Sequence, residues 1–272
     1  MKKIDEVKKF WSENPMLYKV DKSMIDKKFY NKMEWFGHRK GEKVLSNYID
    51  YNRLKNKKVL EVGYGYGTLA KSFIENKSIY TGIDLSSSHY KFCSDRFEDE
   101  DDADFICGNA EKLPFEDNSF DFVISWGVIH HTPKTQQCID EIHRVLKNDG
   151  KCFLMLYHKN SIRYWFHKMF KFGIIKGGLF KHNTTQEFIN SVTDNHDKKK
   201  EGCPLAKAYT KEEIRYMFKE FNGLRISLAG TMYEADAIPS GNIPITKYIL
   251  PKKLREWVLR KAGWFLLIKA NK

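Results

Sequence analysis

The 272-residue sequence has no apolar run near the roughly 20 residues that a bilayer-spanning helix needs. Its opening stretch, MKKIDEVKKFW, lacks the apolar centre of a secretory signal. Cysteine is scarce and scattered: Cys93, Cys107, Cys138, Cys152 and Cys203 form no C-x-x-C pair. These absences argue against a spanning segment, a disulfide framework and a zinc ribbon. The thiols are read as reduced, with Cys107 and Cys152 as core residues inside strands, and no residue is assigned to a metal. Residues 98–102 are five consecutive acids, but they lack the alternating ligands and glycine of a calcium loop, so they are read as solvated. The expectation is a soluble, cytoplasmic protein.

Acids are outnumbered, 35 against 47 Lys+Arg, for a formal net charge of +12. Residues 59–158 hold 9 Lys+Arg and 17 Asp+Glu, a balance of −8, so the rest of the chain carries +20. Basic flanks around an acidic centre suit an anionic substrate, an anionic membrane surface at the inner face of the cell, or nucleic acid. A lysine-rich surface with no partner is equally consistent.

The chain is organised around residues 58–86, KVLEVGYGYGTLAKSFIENKSIYTGIDLS. An apolar strand broken by Glu61 leads into Gly63, Gly65 and Gly67, then into a helix starting at Thr68. A second strand, 79–83, ends at Asp84. Glycines at a strand-to-helix turn let the backbone approach a ligand, and an acid closing the next strand can receive ribose hydroxyls. This is the pattern of a nucleoside-cofactor site. The dinucleotide fingerprint G-x-G-x-x-G places its third glycine at position 68, which is Thr here.

Residues 2–11 read as an amphipathic helix closed by Asn14-Pro15. A second helix is expected over 35–51. Trp11, Tyr18, Phe29, Tyr30 and Trp35 are candidates for a lid. Further strands are expected at 103–107, 120–126 and 151–157, with helices at 89–97 and 134–146 between them. Such alternation implies a parallel sheet with helices on both faces and a ligand crevice at the strands' carboxyl ends. Residues 159–181 contain six Lys+Arg and no acid. Within them Ile162, Trp165, Phe166, Met169 and Phe170 follow α-helical spacing, opposite Arg163, His167, Lys168 and Lys171. That helix is read either as packed on the domain by its apolar stripe or as a lid or membrane-surface helix. Residues 182–208, with Lys198-Lys199-Lys200, read as a solvated loop. Thr210-x-x-Glu213 is a capping box; a strand at 225–228, an insertion at 231–251, a basic helix at 252–261 and a last strand at 264–268 follow.

The motif E-x-G-x-G-x-G, with GNAEKLPFEDNSFDFVISWGVIHHTP and EIHRVLKNDGKCFLMLYH, resembles the type 11 branch of class I S-adenosylmethionine (SAM) dependent methyltransferases, which includes the ubiquinone and menaquinone biosynthesis enzymes. The resemblance implies an α/β, Rossmann-like, seven-stranded, mostly parallel sheet whose seventh strand is antiparallel. It also implies an N-terminal helical lid and insertions between strands five and six and between six and seven. One domain would cover 1–272: lid 1–57, SAM-binding core 58–158, basic insertion 159–208 and the end of the sheet 209–272. Gly63, Gly65 and Gly67, with Glu61 and Tyr64, would meet the methionine half of SAM. Asp84 and Leu85 would hold the ribose, and Asn109, Ala110 and Glu111 the adenine side. Trp126, Gly127 and His131 would border the sulfonium and the acceptor. Tyr64 and Tyr66 replace small residues of the family's glycine loop and are expected to narrow the pocket.

Methyl transfer to oxygen benefits from a base, and His131, then His130, are the candidates. The turn SWGVIHHTP is neither the Asn/Asp-Pro-Pro-aromatic turn of base-amine methylation nor a Pro-Cys nucleophile. A small-molecule, glycan or lipid-like acceptor, with an anionic group suited to the basic flanks, is therefore favoured over nucleic acid. An RNA methyltransferase, a non-catalytic SAM-binding protein and an NAD-dependent oxidoreductase stay open as alternatives.

Overall fold

The computed structural model describes residues 2–13, 45, 48–194, 202–230 and 248–272. Eight strands form one sheet: β1 (Lys58–Val62), β2 (Ile79–Asp84), β3 (Ala103–Cys107), β4 (Phe120–Trp126), β5 (Leu146–His158), β6 (Ala208–Tyr209), β7 (Asn222–Ala229) and β8 (Phe265–Asn271). Across the sheet the order is β3-β2-β1-β4-β5-β8-β7, with β6 paired to β5. β1 to β5 are parallel, and β8 is antiparallel to both β5 and β7. Among the described residues the α-helices are α1 (Lys2–Glu13), α2 (Thr68–Glu75), α3 (Ser87–Arg96), α4 (Thr135–Val145), α5 (Thr185–Val192), α6 (Lys211–Met217) and α7 (Lys252–Ala262), with a π-helix at Arg163–Ile175.

Period-two alternation sorts the central strands onto two cores. Leu60, Val62, Val123, Cys152, Leu154 and Leu156 pack with Ile139 and Ile142 of α4 and Ile214 of α6. Their neighbours Val59, Phe122, Ile124, Phe153 and Met155 pack with Ala70 and Phe73 of α2, Tyr164 of the π-helix and Phe188 of α5. Burying each large apolar side chain contributes about 1.5–3 kcal/mol, so both faces are held by helices.

The sheet has one strand more than expected, because Tyr157 and His158 pair with Ala208 and Tyr209; two residues carry no periodic signature. β5 begins at Leu146, which pairs with Phe120, rather than at Lys151. Cys152 is buried, but Cys107 is exposed on β3, the sheet's edge, and is no core residue. Residues 182–208 are not one solvated loop. Thr184 caps α5 by accepting from Glu187 N, and Phe188, Ile189, Cys203, Leu205 and Ala206 are buried. The unread signal was Thr184-x-x-Glu187, a second capping pattern.

The stretch at 163–175 winds as a π-helix, and this inverts its expected faces. Lys168, assigned to the polar side, is buried, whereas Trp165, Phe166 and Phe170 of the apolar stripe are exposed. Tyr51–Leu54 is a 3-10 turn. The rest of the helix expected over 35–51, apart from residues 45 and 48–50, lies outside the described residues. So do the Asn14-Pro15 break, the lid candidates Tyr18, Phe29, Tyr30 and Trp35, the lysines at 198–200 and most of the 231–251 insertion.

Candidate active site

Strand order reverses between β1 and β4, and a crevice opens at their carboxyl ends. Gly63 leaves β1 at φ +86° and Gly127 leaves β4 at φ +75°. A Cβ on Gly63 would sit 2.2 Å from Val128 Cγ2, so only glycine lets these two strand ends approach. The turn is tied to β2 through Asp84. Its Oδ2 accepts from Gly65 N at 2.9 Å and its Oδ1 from Ser86 N at 2.9 Å. His89 Nδ1 lies 3.0 Å from Oδ1. Behind the turn Glu61 is buried and accepts from Tyr80 Oη at 2.7 Å. Burial raises its carboxyl to about 8.

A cavity of about 260 Å³ occupies this crevice, near the lower end of the roughly 300–1,000 Å³ of small-molecule sites. Glu61, Gly63, Tyr64, Gly65, Asp84, Leu85, Asn109, Ala110, Trp126, Gly127 and His131 all line it. Gly67, Glu111 and His130 do not. Gly67 caps α2 at φ +70°, Glu111 Oε1 accepts from Lys134 N at 2.9 Å, and His130 is buried between His131 and Tyr157, with ring centroids 4.2 and 3.9 Å away. Tyr64 and Tyr66 do form part of the wall. Sequence reasoning missed Val7, Val62, Thr68, Leu69, Ile83, His89, Gly108 and Thr132 as lining residues, while Val128 falls within the turn 126–131 expected at the pocket. His89 had a signal, since it stands one helical turn past the Ser86 cap that follows Asp84.

The cavity's outer wall comes from α1. Val7 is buried, and Trp11 meets His131 edge-on at 5.0 Å. Ser12 pins the helix across the strand ends, its Oγ 3.1 Å from Ser86 Oγ and its carbonyl accepting from Ser88 Oγ at 3.3 Å.

Beside His131 lies a polar cluster that no local motif announced. His131 Nδ1 is 2.7 Å from the Leu205 carbonyl. That oxygen can only accept, so Nδ1 carries the proton and Nε2 the lone pair. Nε2 is buried without a hydrogen-bond partner, 3.4 Å from Asp194 Oδ2. Tyr157 Oη donates to both Asp194 oxygens at 3.0 and 3.1 Å. Asp194 itself holds φ +50°, a strained conformation for a residue with a side chain. Lys168 Nζ bonds Val192 O at 2.9 Å and Thr193 Oγ1 at 2.6 Å, clamping the backbone just ahead of it. Cys203 Sγ donates to Leu205 O at 2.8 Å. Burial lowers the His131 imidazole below its usual range, against the opposing pull of Asp194 and Leu205. His130, also desolvated, is held well below that range and is neutral.

Two features leave the crevice open to a ligand. His89 Nε2 is a buried atom with no partner on the cavity wall. A Cβ on Gly65 would meet nothing within 4 Å, leaving a cradle above the turn. With the sheet order and the antiparallel β8, this is the architecture of a class I SAM-dependent methyltransferase. Residues 60–154 match the family model described as "Methyltransferase domain", so the chain carries such a domain and its cofactor is SAM.

Over 99 residues the chain is 38% identical to a Mycobacterium ulcerans (strain Agy99) protein named probable phthiotriol/phenolphthiotriol dimycocerosates methyltransferase 2, covering 36% of this chain and 38% of that one. Over 126 residues it is 30% identical to phosphoethanolamine N-methyltransferase 2 of Caenorhabditis elegans, covering 45% and 28%. The chain spans between 28% and 63% of the lengths of the curated relatives it matches. A solved SAM-dependent methyltransferase of Methanosarcina mazei shares the fold, with TM-score 0.52 and 18% identity over 84% of this chain and 96% of that chain. No described helix is long and apolar enough to cross a membrane.

Proposed function

We propose that this protein transfers the methyl group of SAM to an oxygen of a small-molecule, glycan or lipid-like acceptor. The observation that carries this reading is the single cavity with the glycine turn and Asp84 at one end and His131, under Trp11, at the other. When bound, SAM supplies a methyl group on a cationic sulfur with a good leaving group. The chain's own tasks are to orient the acceptor and to accept a proton. Gly63, Gly65 and Asp84 would hold the methionine and ribose portions, Asn109 and Ala110 the adenine side, and Glu61, once ionised, would face the cationic part. His131, its Nδ1–H committed to Leu205, would receive the acceptor's proton at Nε2. Asp194, 3.4 Å away, would stabilise the imidazolium so formed. His130 would serve by packing behind it.

Apolar side chains at the acceptor end, Val7, Trp11 and Val128, suit a lipid-like acceptor, in keeping with the relative named for phthiotriol/phenolphthiotriol dimycocerosates. The basic flanks suit an anionic group on it. An amine acceptor is a second reading, favoured by the Asp194 carboxylate beside an accepting Nε2 and by the relative named as an N-methyltransferase. The test incubates purified protein and methyl-labelled SAM with lipid, glycan and RNA fractions in parallel. Label is expected in lipid or glycan, as an alkali-stable ether or an ester, and lost in His131→Gln with SAM affinity retained. Label confined to RNA would overturn the acceptor class, and label on nitrogen would select the second reading.

A further inference from the structure

The basic stretch whose Lys168 braces the backbone ahead of Asp194 is wound as a π-helix, Arg163–Ile175. Its hydrogen bonds run i to i+5, giving about 4.4 residues, or roughly 82° each, per turn. At that pitch Trp165, Phe166, Phe170, Ile174 and Ile175 fall within an arc of about 100°, whereas α-helical pitch would scatter them over about 260°. These five are the exposed large apolar residues of the helix, from 48% for Phe166 to 66% for Ile175. The buried residues Tyr164, Lys168 and Gly173 share the opposite side and face the domain. Phe180, just beyond, is 87% exposed. The winding thus turns a stretch with no single α-helical stripe into one continuous apolar face.

The charges that this stretch itself carries have one sign. Residues 159–181 contain no Asp or Glu. Lys176 and Lys181 are exposed, and the ammonium of Lys176 lies 4.6 Å from the Phe172 ring centroid. Aromatic and branched side chains backed by lysines and lacking acids are complementary to an anionic lipid surface: rings and aliphatics enter the acyl boundary while ammonium groups stay with the headgroups. A neutral protein partner would have no use for the missing acids, and a nucleic acid would not need five apolar side chains in one arc.

We propose that the exposed face of the 163–175 π-helix docks the protein on an anionic membrane surface. The inference goes beyond the methyl-transfer reading and stands or falls separately from it, since none of these side chains lines the cavity. If the acceptor is lipid-like, docking would present the enzyme to the bilayer that holds it.

The test is sedimentation of the full chain with vesicles of phosphatidylcholine alone and of phosphatidylcholine with 30% phosphatidylglycerol, at low and high salt. Binding is expected to the anionic vesicles, at least tenfold weaker to neutral ones, and reduced by salt. Phe170→Glu/Ile174→Glu should abolish it while leaving SAM affinity and the melting temperature unchanged. Tyr216→Glu, at an exposed aromatic on α6, should leave it intact. Equal binding by the double variant, or no binding to anionic vesicles, would overturn the proposal. So would a dimer in solution that the double variant dissociates, because the face would then be an interface between copies. Loss of methyl transfer with vesicle binding intact would count against the function proposed above and not against docking.

Discussion

The two ends of the crevice are built in opposite ways. At the cofactor end the decisive bonds join residues close in sequence: Gly65 to Asp84 and Tyr80 to Glu61 are each 19 residues apart. At the acceptor end they reach across the chain, from His131 to Leu205 over 74 residues and from Tyr157 to Asp194 over 37. The first end is a contiguous supersecondary unit whose glycines and acid must stand at set positions. The second is assembled from a turn after β4, the end of β5, and a helix and loop inserted after it. Such a division lets one cofactor site serve many acceptors, because the insertion can change without disturbing the turn.

The sharpest break in the comparison would come at Gly63. Gly63→Ala demands a positive φ of a residue with a side chain and drives its Cβ into Val128. SAM affinity measured by calorimetry should fall by a factor of about 100 or more, with about 1–3 kcal/mol lost in thermal or denaturant unfolding. Adding Val128→Ala should recover only part of the loss, since it relieves the contact but not the backbone.

Asp194→Asn probes the other end. SAM affinity should be unchanged, while kcat falls about 10- to 100-fold. Because Asp194 raises the His131 pKa, its removal should also move the acid limb of the rate profile to lower pH. A purely structural role would leave that limb in place.

A smaller effect separates the ends by pH. Glu61 has a folded pKa of about 8, above its ordinary 4.5. A cationic ligand needs the carboxylate, so SAM affinity should rise with pH until about 8, by up to about tenfold per unit, and Glu61→Gln should flatten the slope. The same shift makes the empty protein lose stability as pH climbs from 4.5 towards 8, because the raised group favours the folded state only while protonated. SAM should offset that loss.

The smallest change should touch neither end. Thr210→Ala removes the capping box of α6, in which Thr210 Oγ1 accepts from Glu213 N at 3.1 Å and Glu213 Oε2 from Thr210 N at 2.6 Å. It should cost about 0.5–2 kcal/mol of stability without altering SAM affinity or the rate–pH profile.

The strands from β1 to β5, the capping box at Thr210, and the Gly63–Asp84 cradle were legible because each is announced within a few residues. Strand periodicity, a cap and a glycine at positive φ are local requirements of backbone geometry. The π-helix was misread because amphipathicity at 3.6 residues per turn was assumed, and the burial of Lys168 depends on acceptors at Val192 and Thr193 that lie far along the chain. Residues 182–208 were misread because their composition is polar, while the few apolar members, Phe188, Ile189 and Leu205, are buried.

The sequence by itself determined the class of fold and the place of the glycine turn and Asp84, since backbone sterics and side-chain alternation act over short distances. Only the tertiary structure decided that His131 meets Leu205 and Asp194, that α1 brings Trp11 over it, and which side of the 163–175 helix faces outward. Those contacts join segments far apart in the chain, with no local reason to meet, and they form only once the sheet has brought its strand ends, α1 and the 185–205 segment together.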